Sequence, residues 1–223
     1  MIIAIDGPAG SGKSSVAKVV AGRLGFYYLD TGAMYRAVAF RALAQGISLD
    51  DEAAVAAIAT SEPIAFGHEA GEPLPSRISI GGVDITNEIR TPAVDDAVSP
   101  VARLAAVRSA MVEQQRHLAE HADIVVEGRD IGTVVFPDAE LKVYLTASPG
   151  ERARRRAAQQ SASGHVVDEA GVRDAIARRD AIDSTRTHSP LAVATGAVEV
   201  DTTDLTFDQV VERIADLAKE RGA

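Results

Sequence analysis

The sequence predicts an α/β fold in three layers, a parallel sheet with helices on both faces, carrying a small β-containing insertion. Three observations predict it. A short apolar run, Met1 to Asp6, leads into a glycine-rich turn and then into a helical pattern. Apolar runs at Ile124 to Val126, Leu141 to Leu145 and Ala197 to Asp201 alternate with helical stretches, the order that builds a parallel sheet. Between them, Pro63 to Asp84 breaks the alternation with Pro, Gly and strand-like periodicity. At 223 residues and 46% hydrophobic content, one core with an insertion fits better than two full domains.

Each element has its own signal. Met1 to Asp6 is continuous in apolar residues, as a strand covered on both faces must be. Lys13 to Leu24 places Val16, Val19, Val20 and Leu24 at helical spacing, and Gly25 closes it. A second helix is expected over Gly32 to Leu43, with Gly46 as its stop. Arg77 to Ile80 and Val83 to Ile85, joined by Gly81-Gly82, predict a small antiparallel hairpin within residues 63–85. Thr91 to Ala122 reads as mostly helical, interrupted near Ser99-Pro100. Ser148-Pro149-Gly-Glu151 combines an N-cap, a proline at the first helical position and an acid at the third, opening a helix through Gln160. Ser161 to Val167 reads as a mobile polar loop. A helix over Asp168 to Thr185 and a last one capped by Thr206, with Gln209 three residues on, complete the chain.

Composition narrows the function. A net charge of -9 argues against nucleic-acid polymers and membrane surfaces, both of which attract basic excess. No window approaches a membrane span, and Ile2 starts a strand without a charged leader, so a cytoplasmic protein is expected. Zero cysteines exclude disulfides and thiolate metal sites. His117 and His121 stand at i,i+4 without an acidic companion, so they read as surface and zinc is not expected. Four lysines leave 19 arginines among the 23 basic residues. Arginine forks suit phosphate oxygens, although high-GC coding favours arginine and alanine together and accounts for the bias equally well.

The most specific local signal is Gly7-Pro8-Ala9-Gly10-Ser11-Gly12-Lys13-Ser14, followed by Ser15, set between an apolar strand and a helix. Backbone N–H groups of Gly10 to Ser14 can surround a phosphate, with the helix N-terminus adding favourable charge. Lys13 reaches the terminal phosphates of ATP, and the Ser14 hydroxyl is placed for Mg2+. Glu127, ending the strand at Ile124 to Val126, sits where such proteins place an acid that holds Mg2+ through water. A nucleotide-gated switch or motor uses the same loop. Here no Asn-Lys-x-Asp tetrapeptide occurs, and Glu127-Gly-Arg-Asp130 stands where a GTPase has Asp-x-x-Gly.

Leu29-Asp-Thr-Gly-Ala-Met-Tyr-Arg36 and Glu127-Gly-Arg-Asp-Ile-Gly-Thr-Val-Val-Phe-Pro137, with the arginine-rich stretches after Pro149, closely resemble the bacterial cytidylate (CMP/dCMP) kinases. The resemblance runs over nearly the whole chain. It implies a P-loop kinase core, an acceptor-binding insertion, a helical lid, and transfer of the ATP γ-phosphoryl group to CMP or dCMP with Mg2+. The core would be 1–30, 122–150 and 187–223, the acceptor region 31–121, the lid about 151–170, and the following helix 171–186. The family also suggests a monomer.

The resemblance implies roles that the chemistry can be checked against. Arg36, Arg129 and Arg186 would clamp the acceptor phosphate. Asp130, Ser99 and Arg108 would read cytosine, whose exocyclic amine donates and whose N3 and O2 accept; without it, Ser99 reads as a helix N-cap before Pro100. Tyr35 would lie against the ring, and Asp30 and Thr31 belong to the same substrate segment. Arg179 and Asp183 would meet the acceptor sugar; with Arg186 they stand at i, i+4 and i+7, and an exposed salt bridge is the competing account. Arg152, Arg155 and Arg156 share a helix at the start of the lid and would approach the donor phosphates on closure. Arg154 faces elsewhere and is expected in solvent. The nearest rival is a phosphate-loop kinase for UMP or shikimate, the more distant one a nucleotide-gated binding module.

Overall fold

The computed structural model of the chain describes residues 1–162 and 167–223. Its strands are β1 (Ile2–Asp6), β2 (Tyr27–Asp30), β3 (Ile64–His68), β4 (Pro75–Ile80), β5 (Val83–Asp84), β6 (Ile124–Gly128), β7 (Leu141–Thr146) and β8 (Val198–Asp201). Its α-helices are α1 (Lys13–Leu24), α2 (Thr31–Ala44), α3 (Glu52–Ser61), α4 (Pro92–Ala102), α5 (Ala105–Leu118), α6 (Pro149–Ala162), α7 (Glu169–Thr185) and α8 (Phe207–Glu220). Among the described residues, no helix is long and apolar enough to cross a membrane.

A five-stranded sheet runs in the order β2-β6-β1-β7-β8 with every pairing parallel. Side chains alternate between its two faces, and both are covered. Ala4, Ile124 and Val126 point into a core with α2, α4 and α5, while Ile3, Ile5, Val125, Val143 and Leu145 point into another with α1 and α8. This gives the three layers the strand pattern predicts. Thr206 caps α8 in a full capping box with Gln209, as the sequence indicates.

Several elements depart from expectation. The inserted sheet has three antiparallel strands, β3-β4-β5, rather than a two-stranded hairpin, with a register shift at Gly67/His68. The sequence reading does not include β2 or α3. Helix α4 runs through Pro100, and the break follows it at Arg103 and Leu104. Pro100 falls in the last turn, where little of the helix lies beyond it, and the buried Val98 and Val101 keep that turn packed. Ser99 is therefore inside a helix and not its N-cap. Ser161 and Ala162 continue α6, Val167 is irregular, and residues 163–166 of the expected loop lie outside the described residues. Arg186 lies just past the end of α7 with extended backbone, so the i+7 projection from Arg179 does not carry to it.

Because the five strands are parallel, Asp6, Asp30, Glu127 and Thr146 all end at one edge of the sheet. Open α/β sheets form their ligand crevice outside this edge.

Candidate active site

The loop from Gly7 to Ser14 joins β1 to α1 at that edge. Gly7, Gly10 and Gly12 have φ of +149°, +76° and +92°, values that side-chain-bearing residues rarely adopt. A Cβ on Gly7 would stand 1.9 Å from the Leu145 carbonyl oxygen, so β7 itself fixes glycine there. Ser11 and Lys13 are buried, whereas Ser14 and Ser15 open the helix at the surface. Lys13 Nζ donates to the Pro8 carbonyl at 2.7 Å and to Ser11 Oγ at 3.3 Å. Burial and Arg129 push its ammonium well below the ordinary lysine range, with Glu127 and Asp6 acting against them.

The structure revises the role of one flank of this loop. Pro8 has no N–H, and the Ala9 N–H donates to Asp180 Oδ1 at 2.9 Å, so it does not face a phosphate. Arg152, expected at the donor phosphates, donates from Nε to the Ala147 carbonyl and from Nη1 to the Ala9 carbonyl, and it pairs with Asp180. Its guanidinium supports the loop from beneath. Arg155 does stand beside the loop: Nη1 lies 3.4 Å from the Ser11 carbonyl and 2.8 Å from Thr202 Oγ1, and Glu151 holds Nε at 2.8 Å. Arg154 is in solvent, its side chain 69% exposed.

Glu127 is buried at the end of β6. The Tyr28 hydroxyl donates to its Oε1 at 2.9 Å, and Ser14 hydrogen-bonds its side chain. Burial and Asp30 raise its pKa, while Lys13, Ser14 and Tyr28 lower it. This set of hydroxyl and carboxylate oxygens beside a phosphate loop suits a hard cation such as Mg2+. Asp30 accepts from the Ala33 N–H at 2.9 Å and so caps α2. Thr31 differs from expectation: it is 3% exposed, and its hydroxyl donates to the Glu127 carbonyl at 2.7 Å, tying α2 to β6.

Beyond the loop, arginines carried on α2, α5, α7 and the turn after β6 are drawn together, each but one with a carboxylate. Arg36 on α2 pairs with Asp95, which also takes Arg156 at 2.8 Å, so one acid on α4 joins arginines of α2 and α6. Arg129 Nε donates to Asp183 Oδ2 at 2.9 Å. This overturns the salt-bridge alternative for Arg179 and Asp183, since Asp183 is buried and engaged with another element. Asp130 pairs with Arg108 and lies 3.4 Å from Arg186 Nη2. The Arg108 guanidinium sits 5.4 Å from the centroid of the buried Tyr35 ring, a cation-π distance. Burial pushes the Tyr35 hydroxyl up to about 12, against the pull of Arg108. Ser99, half-buried on α4, belongs to the same region of the chain.

Two of these guanidinium groups keep a free donor. Arg108 Nε and Arg179 Nε are buried with no hydrogen-bond partner among the described residues. Arg179 has no ion pair among the described residues, and burial together with Arg129 and Arg36 pushes its pKa down to about 10. Such a cluster is short of negative charge. Sequence reasoning missed Asp95, Asp180, Tyr28 and Asp6. Asp6 accepts from the Ile131 and Gly132 N–H groups at 2.9 and 2.8 Å and anchors the turn that carries Asp130. Its place at the end of a strand just before the loop was the one available signal.

A family model described as cytidylate kinase matches residues 3–220. The cytidylate kinase of Pelotomaculum thermopropionicum is 49% identical over 212 residues, 95% of this chain and 93% of that protein. That of Exiguobacterium sibiricum is 51% identical over 218 residues, 97% and 96% of the two chains. That of Streptomyces avermitilis is 48% identical over 225 residues, covering all of this chain and 94% of the other. Among solved structures, an uncharacterised protein from Eubacterium ventriosum is similar in fold, with TM-score 0.52 and 13% identity over 98% of each chain.

Proposed function

The chain belongs to the cytidylate kinase family, and from that premise we propose that the site at the sheet edge transfers the γ-phosphoryl group of ATP to CMP and dCMP. One observation carries the assignment of residues. Lys13 and Arg179 share a cationic neighbour: besides burial, Arg129 and Arg179 lower the pKa of Lys13, and Arg129 and Arg36 lower that of Arg179. Among these groups the Arg179 Nε is an unused buried donor. An acceptor phosphate there would supply the missing anion and lift the penalty on both Arg179 and Lys13.

Phosphoryl transfer requires two phosphates in line, charge neutralised and water kept out. Gly10 to Ser14 N–H groups cradle the donor, with Gly7, Pro8, Ala9 and Ser15 shaping the turn, and Lys13 swings from the Pro8 carbonyl to bridge the two nucleotides. Arg36, Arg129, Arg179 and Arg186 hold the acceptor phosphate and sugar with Asp183. Arg155, and Arg156 once released from Asp95, close over the transferring group. Ser14 and, through water, Glu127 would hold Mg2+, which would neutralise charge on the transferring phosphoryl group. No general base is needed, because the attacking phosphate oxygen is already anionic near neutral pH.

For the base, the Asp130 carboxylate and the Ser99 hydroxyl accept from the cytosine amine, and Arg108 Nε is offered to its acceptors, with Tyr35 against the ring. Uracil reverses the polarity at two of these atoms, which leaves Asp130 facing an oxygen. Residues 31–121 form the acceptor region and 151–170 the lid of a cytoplasmic monomer. Coupled ADP-release assays across CMP, dCMP, UMP, AMP and shikimate test the reading. CMP and dCMP are expected to lead; a faster rate with UMP or shikimate would overturn the cytosine assignment.

A further inference from the structure

The phosphate loop does not stand by itself on the sheet; the α6–α7 arm grips it at Ala9. The Ala9 N–H donates to Asp180 Oδ1 at 2.9 Å, and Arg152 Nη1 donates to the Ala9 carbonyl at 3.0 Å. Arg152 and Asp180 pair with each other, so both polar groups of one loop residue are held by a single ion pair. The Ala9 methyl packs in a small apolar cluster with Ala153, Val172 and Ile176, taken from the same two helices. At Gly10, a Cβ would come within 2.9 Å of the Arg152 carbonyl oxygen, so the loop lies directly on the α6 backbone. Asp180 directly follows Arg179 and precedes Asp183 by three residues, so α7 carries side chains for both nucleotides.

We propose that Asp180 is a positioning residue for the donor loop, and that through it α7 couples occupation of the acceptor site to affinity for ATP. This rests on the reading above, in which the loop binds ATP and Arg179 and Asp183 meet the acceptor. Gly7 and Gly10 flank Ala9 with positive φ, so that stretch has backbone freedom that Asp180 and Arg152 remove. With the Ala9 peptide fixed, the N–H groups beyond it are aimed before ATP arrives, and less ordering accompanies binding. Any shift of α7 on acceptor binding reaches this peptide directly. By reciprocity, ATP then changes acceptor affinity by the same factor.

The test is calorimetric titration of the wild type, Asp180→Asn, Asp180→Ala, Arg152→Ala and the Asp180→Ala/Arg152→Ala double variant with AMPPNP, a non-hydrolysable ATP analogue, and with CMP. Each ligand is titrated alone and with the other at saturation. In the wild type, CMP is expected to tighten AMPPNP binding about fivefold or more, within the usual range of such couplings. Asp180→Ala should weaken AMPPNP about tenfold or more, as loss of a charged hydrogen bond does. It should erase the effect of CMP on AMPPNP and leave CMP affinity alone within about twofold. Asp180→Asn keeps an oxygen for the Ala9 N–H and should fall between. Arg152→Ala should change little in the Asp180→Ala background, since both act on one peptide. Unchanged AMPPNP affinity in Asp180→Ala, or equal loss of both ligands, would overturn the proposal. Absence of AMPPNP binding in the wild type would instead strike the donor-site reading.

Discussion

Changing Asp130 to Asn alters one group and tests how the base is read. Asp130 is 5% exposed, pairs with Arg108 and stands 3.4 Å from Arg186, whose side chains are 4% and 5% exposed. Neutralising it leaves Arg108 with the Ala102 carbonyl at 3.2 Å, while Arg186 keeps Asp183 at 3.8 Å. Breaking a buried pair from one side costs about 3–5 kcal/mol, and the surviving Asp183 contact places this case near the lower end, about 3 kcal/mol. That loss is common to both substrates and cancels in their ratio. What does not cancel is the hydrogen bond from the cytosine amine to a charged acceptor, worth about 1.5–3 kcal/mol, or about 10- to 150-fold in kcat/KM for CMP. The Asn amide can donate to the uracil oxygen, so UMP should lose less or gain. Coupled ADP-release rates for CMP and UMP, with urea unfolding in parallel, read both effects. A folded variant with the wild-type CMP:UMP ratio would refute the assignment of Asp130 to the base.

Three further outcomes are expected. Lys13→Ala should abolish turnover in the coupled assay yet keep a cooperative thermal melt, because the bonds it removes stay within the loop; turnover at the wild-type rate would sink the mechanism. Burial pushes the Asp6 carboxyl up from its ordinary 3.8 to about 6, so the folded chain retains a proton that the unfolded chain releases in this window. Wild-type stability should therefore fall by about 2 kcal/mol relative to Asp6→Asn between pH 4 and pH 7, and parallel urea-unfolding profiles would disprove it. Thr206→Ala removes the capping box of α8 and should lower stability by about 1 kcal/mol without altering KM, as read by urea unfolding and the coupled assay.

What the sequence made legible was local. The strand, glycine loop and helix from Ile2 to Leu24 are visible because apolar run, turn residues and helical spacing lie within one short window. The capping box at Thr206 is visible for the same reason. Helix α3 escapes because EAAVAAIATS is largely alanine, and only Val55, Ile58 and Ala59 mark its buried face. Strand β2 escapes because it has four residues and its first, Tyr27, is 49% exposed. Two of the carboxylates that organise the site, Asp95 and Asp180, escape altogether. Asp95 meets Arg156 across 61 positions and Asp180 meets Arg152 across 28, separations that only the folded chain closes.

The arginine bias, ambiguous as composition, acquires a meaning once the pairs are known. Arg36, Arg108, Arg129, Arg152, Arg155, Arg156, Arg179 and Arg186 gather around the crevice, whereas Arg41, Arg103 and Arg154 pair with Glu62, Asp50 and Glu151, so on the proposed function phosphate handling accounts for part of the bias and not all of it. Lysine could not replace these eight, because most of them hold two partners at once with separate nitrogens, as Arg155 holds Glu151 and Thr202. Pairing with Asp95, Asp130, Asp180 and Asp183 lets an acidic protein keep a cationic crevice without burying naked charge. It also sets the order of events on binding. Arg179, which has no ion pair among the described residues, offers a free donor to the first anion that arrives. Arg36 and Arg156 share Asp95, so on the proposed function each is released to a phosphate only by a ligand that outcompetes a carboxylate.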